Sequence, residues 1–231
     1  MRRIDLAALD AEVMACRRCP RLVEWRERIA IEKVARFRDE AYWGRPAPGF
    51  GDPDARILVV GLAPAAHGAN RTGRVFTGDR SGDFLYQALH VNGLSSSGIS
   101  RRRDDGLTLS GARITAIVHC APPANRPTVA ERDACLPYLG RELALLPEVR
   151  VIVALGGFGW DGVLRALVAL GHAIPRPRPR FGHGAQVRVG PYAVLGSYHP
   201  SQQNTFTGRL TAQMMAAILA RARELADLPG D

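Results

Sequence analysis

The chain reads as an α/β protein: a three-layer α/β/α sandwich around a central, mainly parallel four-stranded sheet. Two observations predict this class. Four apolar, β-branched runs recur along the 231 residues, and helical patterns lie between or after them. Strands alternating with helices imply a parallel sheet covered on both faces, whose strands are then apolar throughout rather than alternating. There is no internal repeat and no long linker, so residues 1–231 form one domain.

The elements follow in order. Ile4, Leu6, Leu9 and Val13 are spaced as the apolar stripe of a short N-terminal helix. The strands are expected at Ile57–Val60, Ile114–Val118, Val149–Leu155 and Val194–Leu195. The helices are expected at about Gly82–Val91, Thr128–Leu146, Trp160–Leu170 and Leu210–Leu225. Thr128-Val-Ala-Glu131 is a capping box that opens the second of these. Pro137 should kink or interrupt that same helix, because it has no N–H to donate. Tyr42–Ala55, Ser95–Gly106 and Ile174–Gly184 read as loops. The last holds Pro175-Arg-Pro-Arg-Pro-Arg180, an extended, stiff stretch whose arginines either reach phosphates or are simply solvated.

The hydrophobic fraction is 46%, ordinary for a globular protein. No apolar run approaches the roughly 20 residues of a membrane span. The first residues lack a signal-peptide apolar region, so a cytoplasmic monomer with no membrane partner is expected. The formal net charge is +9, which favours a polyanionic partner, most simply nucleic acid. Of 31 basic residues only Lys33 is a lysine, and it stands outside every motif, so Schiff-base chemistry has no side chain in place.

Two segments carry candidate chemistry. From Val59 to Asp79 the run Ile57–Val60 breaks into Gly61-x-x-Pro64 and a polar, glycine-rich loop. Ligands of open α/β sheets lie beyond the carboxyl ends of strands. His67, Asn70, Arg71, Thr72, Arg74, Phe76 and Asp79 are thus a candidate active-site floor. After Leu195 comes Gly196-Ser-Tyr-His-Pro-Ser-Gln-Gln-Asn-Thr205, a histidine beside a proline that restricts its backbone. Its Gln–Asn run can probe a groove or replace a lost base.

Cys16 and Cys19 form Cys-x-x-Cys at the end of the N-terminal helix; Cys120 follows a strand and Cys135 lies in a helix. Fourteen residues separate the second pair. A structural zinc usually shows two tight pairs, so spacing leaves zinc and a 4Fe–4S cluster both open, with unrelated buried thiols as the plain alternative. Gly157-Phe-Gly-Trp-Asp-Gly162 matches the dinucleotide fingerprint literally. That fingerprint expects an acidic residue about 20 positions on. None stands between Asp161 and Glu224, so a turn that lets a helix pack closely is the better reading than an NADP site.

Taken together, these segments resemble the uracil-DNA glycosylase superfamily. The loop from Gly61 resembles its motif A, His199-Pro-Ser201 its motif B, and the four cysteines fall in the order of its Fe–S members. Gly61-Leu-Ala-Pro64 looks like family 5, because the water-activating acid of the classical Gly-x-Asp-Pro enzymes and the Gly-Glu-Ala-Pro of family 4 are both absent. The resemblance spans Cys16 to about Thr211. It implies a monofunctional glycosylase that flips uracil, and other deaminated bases such as hypoxanthine, out of double-stranded and single-stranded DNA in base excision repair. It further implies that Asp79, His199 and Asn125 are catalytic, and that Gly61, Ala63, His67, Asn70, Phe76, Ser201, Gln202 and Asn204 bind substrate. Phe76 would stack on the base, His199 would hydrogen-bond its oxygen, and Asp79 would stabilise the sugar cation or orient water. It implies a 4Fe–4S cluster on Cys16, Cys19, Cys120 and Cys135. A helix N-cap is the plain role for Asp79, and a turn is the plain role for Asn125. The rival from another class is a non-catalytic Fe–S or zinc DNA-binding, damage-sensing protein.

Overall fold

The computed structural model describes residues 2–227. Eight α-helices and six strands follow one another as α1 (Arg2–Ala15), α2 (Pro20–Glu32), β1 (Phe50–Gly51), β2 (Ile57–Gly61), α3 (Ala69–Thr72), α4 (Arg80–Val91), β3 (Ala112–Ala116), α5 (Val129–Leu145), β4 (Val151–Leu155), α6 (Gly156–Ala169), β5 (Gln186–Val189), β6 (Tyr192–Ser197), α7 (Gln202–Phe206) and α8 (Ala212–Asp227). The strands form one sheet in the order β1-β3-β2-β4-β6-β5. Its centre, β3-β2-β4-β6, is parallel, with Val59 aligned to Ile114 on one side and Val153 on the other.

The three-layer α/β/α expectation holds, with two strands more than the four expected. Both additions are antiparallel edges, β1 on β3 and β5 on β6. β1 is two residues inside a segment that reads as loop, and β5 is Gln-Val-Arg-Val, half exposed and without an apolar run. Edges such as these carry little sequence signal, since only one flank is paired.

Alternate residues of the central strands feed two cores. Ile57, Val59, Val151, Val153 and Leu195 pack under α4 and α8. Leu58, Val60, Ile152, Ala154 and Val194 pack under α5 and α6, joined by Leu6 and Leu22 from the N-terminal helices. Leu9 and Val13 bury against Tyr138, as the stripe predicts; the side chain of Ile4 lies outside the described residues.

Three local expectations need correction. β3 begins two residues earlier than its apolar run, because Arg113 is buried within the sheet and paired with Glu142 at 2.6 Å and Asp10 at 3.1 Å. α5 runs unbroken through Pro137; the proline is exposed, so water can satisfy the carbonyl it leaves free. The Cys16-x-x-Cys19 pair does not end α1 but forms the link to α2, an element the sequence reading did not separate. The capping box forms as expected, with both Thr128 and Glu131 bonds present. Gly159 and Gly162 confirm the packing role of the Gly-rich stretch: a Cβ on Gly162 would fall 2.6 Å from Ile117, and one on Gly159 3.2 Å from the Val60 carbonyl. No helix among the described residues is long and apolar enough to cross a membrane.

Candidate active site

The chain leaves β2 toward β3 on one side and later returns to β4 on the other. That reversal makes a crevice beyond the carboxyl ends of β2 and β4, the usual ligand position in open α/β sheets. The two predicted loops meet there. His199 follows β6, and its Cβ lies against Gly156 at the end of β4, where an added Cβ would be 3.3 Å away. Phe76, from the β2 loop, faces the His199 ring with centroids 5.8 Å apart and a 35° tilt.

Glycines make this approach possible. A Cβ on Gly61 would strike the Phe76 ring at 2.7 Å, and one on Gly82 would strike the Phe76 carbonyl at 2.0 Å. Phe76 itself has a φ of 52°, a conformation that is costly without surrounding support. A Cβ on Gly68 would lie 1.9 Å from Oδ2 of Asp79, so the carboxylate rests directly on the loop backbone.

Asp79 is the N-cap of α4, accepting from the Gly82 amide at 2.9 Å. Burial raises its carboxyl above the usual range, against the pull of the Gly82 and Ser81 amides. Oδ1 serves the cap, and Oδ2 faces the loop floor. Burial pushes His199 down to about 4, so its imidazole is neutral at pH 7 and offers one N–H as a donor. The backbone carbonyl of His199 accepts from the Asn204 side chain at 2.9 Å, which holds the histidine loop closed. His67 pairs through Nδ1 with the Tyr42 hydroxyl at 3.0 Å, and burial together with Arg71 lowers its pKa.

The remaining predicted residues divide. Asn70 is buried and donates to the Arg26 carbonyl at 3.1 Å, a structural bond that turns it away from any ligand. Arg71 and Arg74 are buried loop staples rather than free cations. Arg71 bonds the carbonyls of His67 and Gly78 and the Glu40 carboxylate, and Arg74 bonds Thr77, Ser100 and Asp105. Thr72 bonds the carbonyls of Gly68, Arg74 and Thr77. Ala63 is half-buried below the loop. Ser201 precedes α7 without a side-chain cap bond, and Gln202 is exposed on its first turn. Asn125 is exposed at the β3 end of the same sheet edge with a φ of 54°, beside Ala124 at 51°. Its side chain makes no contact with His199 or Asp79.

The sequence reading missed Tyr42 and His183. Tyr42 stands in a segment read as loop. His183 accepts from the Tyr198 amide at 3.3 Å and stacks on the Tyr198 ring at 5.1 Å. Neither carries a motif that would single it out. A hollow open to solvent lies between α4 and α8, lined by Arg80, Phe84, Ile99, Phe206 and Gln213, and neither Phe76 nor His199 lines it.

The four cysteines come together. Cys16, Cys19, Cys120 and Cys135 line one small cavity with Leu22, Val118 and Tyr138, and all are free thiols. Burial pushes Cys120 and Cys135 up to about 12, so they are inert as nucleophiles and would become thiolates only on binding a metal. The His119 amide already points at the Cys135 sulfur, 3.4 Å away. No group of three or more His, Cys, Asp or Glu among the described residues is gathered as a single ion requires. Four sulfurs lining one cavity are a donor set suited either to a tetrahedral zinc or to a cluster with one cysteine per iron. Two guanidinium nitrogens of the buried Arg26, Nε and Nη1, also lack any partner, while Nη2 bonds the Cys16 carbonyl.

A family model described as the uracil DNA glycosylase superfamily matches residues 48–223. The chain is similar to a type-5 uracil-DNA glycosylase of Mycobacterium leprae, 55% identical over 227 residues, covering 97% of both chains. A second of that description from Mycobacterium tuberculosis is 54% identical over 226 residues, covering 97% of this chain and 83% of its own. A third, from Thermus thermophilus, is 52% identical over 226 residues, covering 97% of this chain and all of its own length. With motif A and motif B meeting at the switch of the sheet and four thiols around one cavity behind them, the chain belongs to the uracil-DNA glycosylase superfamily, on its type-5 branch.

Proposed function

We propose that this protein hydrolyses the N-glycosidic bond of uracil in DNA, and of other deaminated bases such as hypoxanthine, as a monofunctional glycosylase acting in the cytoplasm in base excision repair. The single observation that carries the reading is the meeting of Phe76 and His199, 123 positions apart in sequence, on the loop that ends at the buried carboxylate of Asp79. The relatives at 52–55% identity are type-5 uracil-DNA glycosylases.

A paired base is out of reach, so the nucleotide must be extruded, at a cost of a few kcal/mol that is lowest for a mismatched base. Exposed arginines ring the sheet edge for phosphate contact: Arg80, Arg101, Arg126, Arg180 and Arg209. Phe76 offers a face for stacking. As the C1′–N bond breaks, its electron pair leaves with the base and positive charge grows on the sugar. The neutral His199 donates a hydrogen bond to the base oxygen that gains charge, with no proton transfer required. Oδ2 of Asp79 faces the sugar cation or holds the attacking water, whose oxygen bonds C1′ and whose proton is released. This is catalysis by preorganised electrostatics. Asn125 stands at the rim, where its exposed amide can meet base or water.

We further propose that the four cysteines hold a 4Fe–4S cluster. The cluster would serve as a staple, tying the α1–α2 link to β3 and α5. With no lysine in the motifs, the product is an intact strand with an abasic site.

An end-labelled duplex with one uracil tests this, as does one with hypoxanthine, each run on a denaturing gel with and without hot alkali. Cleavage at the marked site only after alkali is expected. Scission without alkali would overturn the monofunctional reading, and no cleavage from iron-replete protein would favour a non-catalytic DNA binder.

A further inference from the structure

Arg26 is among the largest fully buried side chains of the molecule, with 2% of its surface exposed. It lies on α2 one turn beyond Leu22 and two beyond Cys19, on the same helix face. Leu22 and Cys19 both line the four-cysteine cavity. Nη2 donates to the Cys16 carbonyl at 3.3 Å. Its one acidic neighbour, Glu27, is 3.6 Å away, partly exposed and already bonded by Arg17 through both oxygens. Nε and Nη1 have no acceptor. A guanidinium cannot shed its charge, and a buried cation with unpaired donors is strongly disfavoured unless an anion stands by. The arginine that lines the cavity, Arg18, is half exposed and stacks on Tyr138 at 5.0 Å, whereas Arg26 stands behind the lining.

We propose that Arg26 is a positioning residue of the four-cysteine centre, holding the Cys16 carbonyl and, from behind the cavity lining, balancing the negative charge of the bound cluster. This rests on the reading that the cysteines hold a 4Fe–4S cluster. Four thiolates make that centre anionic. A fixed buried cation favours its reduced, more negative state and so raises its reduction potential.

The test uses full-length wild type, Arg26→Gln, Arg26→Lys and Arg18→Gln, each assayed for iron, acid-labile sulfide, reduction potential and rate of cluster loss to a chelator. Arg26→Gln is expected to move the potential to a more negative value and to speed cluster loss by about tenfold, the lower end of what lost outer-shell partners cost. Arg26→Lys keeps the charge and should stay close to wild type in potential. Arg18→Gln should shift it less than Arg26→Gln. Should Arg26→Gln fail to fold, the Arg18→Gln protein grown with 15N-arginine supplies the answer. Pulsed EPR of its reduced cluster is expected to show nitrogen coupling. An unshifted potential in cluster-loaded Arg26→Gln, or no such coupling, would overturn the proposal. Wild type free of iron and sulfide would instead overturn the cluster reading beneath it.

Discussion

Asp79 does two jobs with two oxygens, and Gly68 is what permits the second. Alanine at 68 would drive a methyl group into Oδ2, so Gly68→Ala should displace the carboxylate and cut single-turnover excision by at least about tenfold, the rate equivalent of 1.36 kcal/mol. The helix content should remain, checked by circular dichroism. His199→Ala removes one preorganised donor and should lower kcat by about 100- to 1,000-fold. The pH dependence follows from burial. His199 is neutral above about 4, so it should contribute no limb to the pH–rate profile between pH 5 and 8. Asp79 titrates above the ordinary carboxylate value, so an acidic limb should appear and should vanish in Asp79→Asn. A loss of activity on passing from pH 5 to pH 7 in wild type would contradict a neutral His199. At this scale the sequence located His199 just beyond a strand end and Asp79 at a helix N-cap. It was uninformative about direction: Asn70 and Arg74 carry the same polar character and turn inward.

The β2 loop is held by buried arginines as well as by the apolar packing of Ala69 and Val75. Arg74 is buried over Phe50 and bonded to Asp105 at 2.6 Å. Burial pushes the Asp105 carboxyl up, but Arg74 and the amides of Arg101, Leu107 and Arg102 outweigh it and hold the group well below its usual range. A lowered carboxyl contributes stability that is present above its unfolded value of about 3.9 and is lost as pH falls below it. Arg74→Met removes the cation from Asp105 and leaves only backbone amides on it, and should cost about 2 kcal/mol, read as a lower Tm at pH 7. The difference from wild type should shrink at pH 3. The four parallel strands and five of the eight helices were legible because a two-sided apolar strand and an amphipathic helix each leave a periodic trace. α2 was not, because Arg26 occupies its inner face between Leu22 and Ile29 and breaks the stripe. The same residue that hides the helix is the one buried by the cysteines.

Across the whole molecule, one edge of the sheet gathers the chemistry and the free arginines. Binding to undamaged duplex should weaken steeply between about 50 and 200 mM salt, as counterion release requires, measurable by fluorescence anisotropy. Behind that edge the cysteines join the α1–α2 link to β3 and α5, a contact no single segment reveals. Its existence was readable only from the order of four residues, since partners so far apart leave no local pattern. Under the cluster proposal, chelation should expose the link first: limited proteolysis near residues 16–19 is expected in chelated protein and not in the cluster-loaded form.

The central claim is that the Phe76–His199–Asp79 site breaks a glycosidic bond rather than merely binding damage. Mass spectrometry of free uracil, released in a single turnover from a uracil-containing duplex, tests it most directly. Wild type should release one uracil per site, and His199→Ala should bind the duplex with similar affinity while releasing it at least about 100-fold more slowly. Equal release by both proteins, or none by either, would contradict the account.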